Sequence, residues 1–561
     1  MWTRCSGPSR STATSTISAN PERRARRALA VALAALLLAG CQRQVHFQEL
    51  PDFEIPESAT PAPVVEEPLP GGTLRVALGP TTEDLNPLTN QDRDTRNVLE
   101  LVYEPLVELD EAQQPAPCLA ESWSADAENH TVTFALRQGV TFHDGSALSA
   151  QDVVYTGQQL LNQYEIQREE GQPVASLPFT AVEATEDGQV RFTMRNASYG
   201  LLCAMNFPIL KEGGADASPM GTGPFQLERV EPDEGLSLVR FDGWWRKAPI
   251  LERVQATCFK SPEAALEAYT QGELDVVLTD SITYGRYQRD SLSSVHSAMT
   301  QYYECLMPNL SSAMVGDEQV RRAILEGIDR KQLSANAYLG NATAVDAPVP
   351  PDSFAYRAPE NAPPYDPEAA VARLEQAGWR DEDGDGIRER VIDGQTVPLS
   401  VTLVTNKNGS PGRADAAKAI EDMLEKIGVM VEVETLGENS LSYRIEQKKY
   451  DLALVGFYLS RVPDVTGLLH SQGLQNPNGA KSEAVDGILG NLAQASDVQT
   501  YVDAMGALQA QVAQELPLMS LYMRSFCLVV RDPLRLGETQ PREMEAYRGV
   551  SSWYFVGQPS A

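Results

Sequence analysis

The chain has 561 residues, 42% of them hydrophobic, and a net charge of −31 from 46 Lys and Arg against 77 Asp and Glu. That length allows several domains, and the apolar content excludes a wholly disordered chain. The acidity excludes a phosphate-backbone partner held by bulk charge, so no nucleic acid is expected, and seven cysteines are too few for a disulfide scaffold.

At the N-terminus, Arg23, Arg24, Arg26 and Arg27 precede an apolar run over residues 28–39. The run is too short to cross a hydrocarbon core of about 30 Å as a helix, and it has the layout of a secretory signal. It ends Leu38-Ala39-Gly40-Cys41, small residues before a cysteine, which resembles the lipobox of bacterial lipoproteins. That resemblance implies removal of residues 1–40 as a signal peptide and lipidation of Cys41. The remaining chain carries 40 basic and 76 acidic residues, a net charge of −36, so attachment to the membrane is expected through the lipid alone. Cys118, Cys203, Cys258, Cys305 and Cys527 show no metal-finger spacing, and their odd number leaves at least one unpaired within the chain. Residues 41–70 contain Pro51, Pro56, Pro61, Pro63, Pro68 and Pro70 and read as an extended tether.

The folded body is expected to start near Gly72, with an alternating strand over 73–78. Residues 130–142 predict a hairpin that turns at Gln138-Gly139 and resumes over 140–142. Ser149 or Ala150 opens a helix. Asp317 caps a helix with Val320, Ala323, Ile324 and Ile328 inward, and Asp366-Pro367 starts another that Gly378 ends. Leu399, Val401 and Leu403 alternate. Ala416, Ile420, Met423, Leu424 and Ile427 share a helical face, Gly428 follows, and Val429, Val431 and Val433 alternate again. This is a βαβ unit with parallel strands. Residues 451–456 form another short buried strand.

Enzyme signatures are missing. There is no G-x-S-x-G, no H-E-x-x-H, and no pair among the five histidines at i, i+4. The glycines before Lys481-Ser482 miss the spacing of a phosphate loop, and Gly221-Thr222-Gly223 lacks the third glycine of a dinucleotide fingerprint. Asp381, Asp383 and Asp385 match the first half of a calcium loop, but Ile392 stands where its last ligand, a glutamate, belongs. The segment is read as an acidic turn, so no metal and no cofactor are expected.

Ordered motifs along the body carry a family resemblance. They are Leu85-Asn86-Pro87, Tyr103-Glu104-Pro105-Leu106-Val107, Pro117-Cys118-Leu119-Ala120-Glu121-Ser122-Trp123, and residues 136–145 (LRQGVTFHDG) followed by Ala150-Gln151-Asp152-Val153-Val154. After them come Gly221-Thr222-Gly223-Pro224-Phe225, Gly272-Glu273-Leu274-Asp275, Val320-Arg321-Arg322-Ala323-Ile324, Tyr365-Asp366-Pro367, and Glu515-Leu516-Pro517-Leu518. The chain from about Gly72 onward resembles the family 5, peptide/nickel class of extracytoplasmic solute-binding proteins that serve ABC transporters. Most of these motifs are read as builders of the fold, with Arg321 and Arg322 on a solvated helix face.

The resemblance implies an α/β, two-lobed periplasmic-binding-protein-like fold of type II, the large cluster-C kind, with an extra subdomain in the first lobe. Lobe I is expected from 71–90, 216–303 and 515–561, its subdomain from 91–215, and lobe II from 304–514. The chain should cross between lobes near 302–309 and 514–522. Ligands of open α/β sheets lie beyond the carboxyl ends of strands. The strand over 451–456 ends in Phe457-Tyr458-Leu459-Ser460-Arg461. Gly456, Phe457, Tyr458 and Ser460 are therefore candidate ligand-binding residues, with Tyr302, Tyr303 and Tyr522 on the crossings. The same segment aligns with the family's G-W-x-x-D stretch, whose Asp pairs with a peptide's α-ammonium. Ser460 stands at that position, and Asp464 is the candidate counter-charge; Arg461 could instead meet an acidic group. A peptide, an opine-like compound, a sugar oligomer and a metal chelate all remain open as ligand. The expected protein is a monomeric, membrane-anchored carrier on the extracytoplasmic side, with a small solute and ABC-permease subunits as partners. A ligand-sensing lipoprotein and an acidic surface hydrolase are the alternatives.

Overall fold

The structure is a computed structural model that describes residues 68–557 except 170–176, 216–217, 281–286, 288–290, 408, 410–411, 460–463, 475 and 477. The signal segment and Cys41 therefore lie outside the described residues, as does most of the tether. None of the helices in the described residues is long and apolar enough to cross a membrane.

Thr73–Leu78 forms as expected and pairs in parallel with Arg253–Cys258, beside Gly235–Arg240 and Phe225–Glu231. A second four-stranded sheet, wholly antiparallel, takes Ala120–Asp126, Thr131–Leu136, Val190–Met194 and Phe179–Ala184. Its core of Phe134, Phe179 and Phe192 is closed by the helix Ala150–Glu169. Ser149 donates its hydroxyl to Asp152 Oδ2 at 2.7 Å at the start of that helix. The hairpin read over 130–142 does not form. Thr131–Leu136 pairs instead with its neighbours in this sheet, and residues 140–142 run antiparallel to 146–148 around a tight turn closed by Phe142 N–H to the Ser146 carbonyl at 2.8 Å.

The large sheet runs Val276–Thr279, Met519–Arg531, Ser293–Pro308, Leu452–Tyr458, Ser400–Asn406, Met430–Leu436, with Ala342–Ala344 against Met519–Arg531. The βαβ unit is present: Ser400–Asn406 and Met430–Leu436 are parallel and joined by the helix Arg413–Glu425. Gly428, at φ +83, supplies the left-handed residue that ends the connection. Asp317 and Asp366 cap their helices, accepting from Gln319 N–H and Ala369 N–H.

Arg321 and Arg322 correct the reading of a solvated face. Arg321 is 7% exposed and gives Nη1 to the Val315 and Gly316 carbonyls and Nη2 to the Glu515 carbonyl. Arg322 reaches the Asn361, Ala513 and Gln514 carbonyls. The helix Val498–Glu515 ends there, and its last carbonyls lack intrahelical donors, so two guanidinium groups supply them.

Two strands tie the architecture together. On Ser293–Pro308, Val295 and Ala298 pack against cores shared with Thr73–Leu78 and Val276–Thr279, whereas Met299, Tyr303, Cys305 and Leu306 belong to the cores on either face of the βαβ sheet. On Met519–Arg531, Met519 to Met523 join those latter cores and Phe526 to Val530 the former. The two changes of core face each other, since Met299 pairs with Ser525. Both strands pass from one set of cores to the other at this point, and the ladder is irregular there.

Candidate functional site: a cleft at the strand crossing

Between Met299 and Tyr303 the pairing with Met519–Arg531 slips: Met299 faces Ser525, and the next pair is Tyr303 with Met523. Residues 300–302 therefore bulge out of the ladder opposite Arg524. A bulge re-aims side chains and is common beside binding sites. Thr300 Oγ1 donates to the Arg524 carbonyl at 2.9 Å and accepts Tyr302 N–H at 3.1 Å, which fixes the bulge.

A cavity of about 460 Å³ opens over it, lined by Arg93, Asp280, Tyr302, Asn406, Tyr458, Arg524 and Glu543. A second hollow of about 560 Å³ adjoins it and shares Thr300, Ser525 and Glu543. Burial works against the charge on Arg93, but Asp94, Asp280 and Glu543 outweigh it and hold its pKa above the ordinary arginine value. Glu543 Oε2 accepts Gln301 N–H and the Tyr458 hydroxyl, each at 3.3 Å. The cleft thus offers both signs of charge and two aromatic rings.

Beneath Tyr302 lies a buried ionic network. Glu304 is fully buried and Arg413 3% exposed. Arg413 Nε and Nη2 reach Glu304 at 3.3 Å each, Nη2 also reaches the Tyr302 hydroxyl at 2.8 Å, and Nη1 reaches Asn406 Oδ1 at 2.6 Å. Burial opposes the Arg413 charge, and Glu304 and Tyr302 overcome it, so the guanidinium is held above its usual pKa. Tyr338 and Tyr522 also donate to Glu304 Oε2, at 3.2 and 3.4 Å. Burial and then the Glu304 charge push both phenols well up, so they stay protonated donors.

The candidate residues divide by strand alternation. Tyr302 faces Tyr458 and Glu304 faces Gly456 in the antiparallel ladder, so these four share a face. Tyr302 and Tyr458 line the cleft, and Tyr458 is 53% exposed. Gly456 lies under them. A Cβ there would stand 2.7 Å from Arg413 Nη2 and from the Tyr302 ring, so the position needs glycine for close approach. Tyr303 and Phe457 point to the opposite face, into the core, where the Tyr303 hydroxyl meets Ser520 Oγ at 2.7 Å. Tyr522 is buried on Glu304. Asp464 pairs with Arg195 at 3.1 Å in a separate hollow beside Asn196 and Tyr501. Ser460 and Arg461 lie outside the described residues.

Arg93, Asp280, Asn406, Arg413, Arg524 and Glu543 were not among the sequence candidates. Arg524 alone left a local signal, an arginine in the middle of the strand Met519–Arg531. The acidic turn holds Asp381, Asp383 and Asp385, with one oxygen of each within 4.8 Å of the others. These carboxylates accept the loop's own amides, from Gly384, Gly386, Asp385 and Ile387. The five cysteines in the described residues are all free.

The family motifs pack on one another away from the bulge. Glu104 accepts Thr222 Oγ1 at 2.9 Å, Trp244 Nε1 at 3.2 Å and Trp245 Nε1 at 2.8 Å. His143 Nε2 donates to the Gly223 carbonyl at 3.1 Å while Nδ1 accepts Gly221 N–H at 3.3 Å, which describes a neutral imidazole.

Two sets of cores, two strands that run from one set to the other and a cleft where they do so define a two-lobed α/β binding protein. The description "bacterial extracellular solute-binding proteins, family 5" matches residues 114–479, and the chain belongs to that family, whose members bind solutes and are not enzymes. The oligopeptide-binding protein AppA of Bacillus subtilis (strain 168) is 25% identical over 480 residues, 81% of this chain and 87% of its own. Its structure with a nonapeptide covers 88% of this chain and 100% of that one, at TM-score 0.61 and 22% identity. NikA from Brucella suis in complex with Fe(III)-EDTA covers 86% of this chain and 100% of its own, at TM-score 0.70 and 21% identity. HbpA2 from Haemophilus parasuis covers 86% and 100%, at TM-score 0.73 and 20% identity.

Proposed function

We propose that this protein is lipid-anchored at Cys41 on the extracytoplasmic side, captures a small peptide or peptide-like solute between its lobes, and delivers it to ABC-permease subunits. The observation that carries the reading is the cleft at the strand crossing, where Tyr302 and Tyr458 meet charges of both signs, Arg93 and Arg524 with Asp280 and Glu543. A solute that bridges the lobes there favours their closure about the crossing strands. Lobe I is assigned to 71–90, 216–303 and 515–561, with its subdomain at 91–215, and lobe II to 304–514. The protein acts as a monomer. The oligopeptide-binding relative supports the solute class, and the secretory layout ending at Cys41 supports the anchor.

Native mass spectrometry of the purified protein tests capture, and uptake of labelled peptides by a deletion strain tests delivery. A bound peptide-sized solute and impaired uptake are expected. A protein that binds no small solute, or full uptake without it, refutes the corresponding half of the proposal.

A further inference from the structure

Arg524 is 7% exposed, and its Nε and Nη2 are buried with no hydrogen-bond partner among the described residues. It forms no ion pair among the described residues, although Asp280 and Glu543 line the same cavity. Its guanidinium lies 5.8 Å from the centroid of the Tyr302 ring, and Arg413 also lies 5.8 Å from that centroid. A cation–π contact satisfies part of the charge but none of the N–H groups. By contrast, Arg413 is met by Glu304, and Glu543 by Gln301 and Tyr458. An arginine buried without a counter-ion costs free energy, and it faces the cavity, opposite the bulge that opens the cleft.

Given the capture reading above, we propose that Arg524 is the carboxylate-binding group of the cleft and that the captured solute presents a carboxylate to it. A guanidinium takes a carboxylate through two parallel N–H donors, and the Arg524 fork is not committed to a carboxylate among the described residues. The carboxylate can belong to a peptide or to a chelating acid around a metal ion. The chemistry at Arg524 is the same for both.

The test uses the whole protein, stripped of bound solute in guanidinium and refolded. Its probes are a tryptic casein digest, the same digest after methyl esterification of its carboxyl groups, and Fe(III)-EDTA. Binding is read by native mass spectrometry and titration, for wild type, Arg524→Met and Arg524→Lys. The expected result is that wild type binds the untreated digest or Fe(III)-EDTA, and which one distinguishes peptide from chelate. Esterification should abolish digest binding, Arg524→Met should weaken the bound probe at least tenfold, and Arg524→Lys should fall between.

If the esterified digest binds as well as the untreated one, or Arg524→Met binds as wild type does, the inference is overturned while solute capture stands. If wild type binds neither probe, peptide-like capture fails, and the melting temperature of unliganded Arg524→Met then decides for Arg524. A fall of several degrees makes the guanidinium a structural group and overturns the inference. A rise shows an unmet charge that an anion must answer, and upholds it.

Discussion

Replacing Glu304 by Ala removes the only carboxylate paired with the Arg413 guanidinium among the described residues. Both side chains are essentially buried, and Glu304 also accepts from Tyr338 and Tyr522. The variant leaves one buried cation uncompensated and two buried hydroxyls short of an acceptor. Breaking a buried pair from one side costs about 3–5 kcal/mol. The Tyr338–Tyr522 hydrogen bond at 2.7 Å keeps one of the two hydroxyls partnered, which places the expected loss near the middle of that range. Glu304→Leu combined with Arg413→Met removes both charges together and should cost less than Glu304→Ala alone, because no unpaired ion remains. Urea unfolding of the unliganded protein measures both losses, with wild type as reference. A loss below about 1 kcal/mol for Glu304→Ala, or a double variant as costly as the sum of the two single ones, would refute the account of the network. Binding gives a second readout. Arg413→Lys keeps the charge but loses the fork that holds Tyr302 and Asn406, so it should weaken solute binding with a smaller effect on stability.

Tyr458→Ala should weaken the co-purified solute at least tenfold, about 1.4 kcal/mol, since this exposed ring lines the cleft; unchanged titration calorimetry would remove it from the site. His143 should make the protein less stable in acid. Burial pushes its pKa down to about 4, against the stabilising Gly223 carbonyl and Asp144, while the unfolded chain titrates near 6.5. Between those values the unfolded state binds the extra proton, so the stability is full above about pH 6.5 and is lost as pH falls toward 4, about 2–3 kcal/mol in all. His143→Asn should flatten that slope in denaturation curves taken from pH 4.5 to 7, and an unaltered slope would contradict the assignment. Cys41→Ala should abolish metabolic labelling by a palmitate analogue and release the protein from the membrane fraction; persistent labelling would show that the anchor lies elsewhere.

The sequence by itself determined the elements whose signal is local. The βαβ unit around Arg413–Glu425, the Asp317 and Asp366 caps and the turn at Gly428 each depend on residues a few positions apart, where periods of 2 and 3.6 and the need for a cap act directly. Tyr458 was read from the end of its strand, whereas Tyr302 came from the crossings that the family resemblance implies; both line the cavity. Tertiary structure decided the rest. Whether Tyr303 or Tyr302 faces the cleft depends on register, and a one-residue shift exchanges the faces of a strand. The bulge over 300–302 exists only through its pairing with Met519–Arg531. Arg321 and Arg322 look solvated on their own helix and become clamps only because another helix ends against them. Glu304 and Arg413 stand 109 positions apart, and Glu304 and Tyr522 stand 218 apart. A buried charge is tolerable only with its partner in place, and folding alone brings partners across such separations.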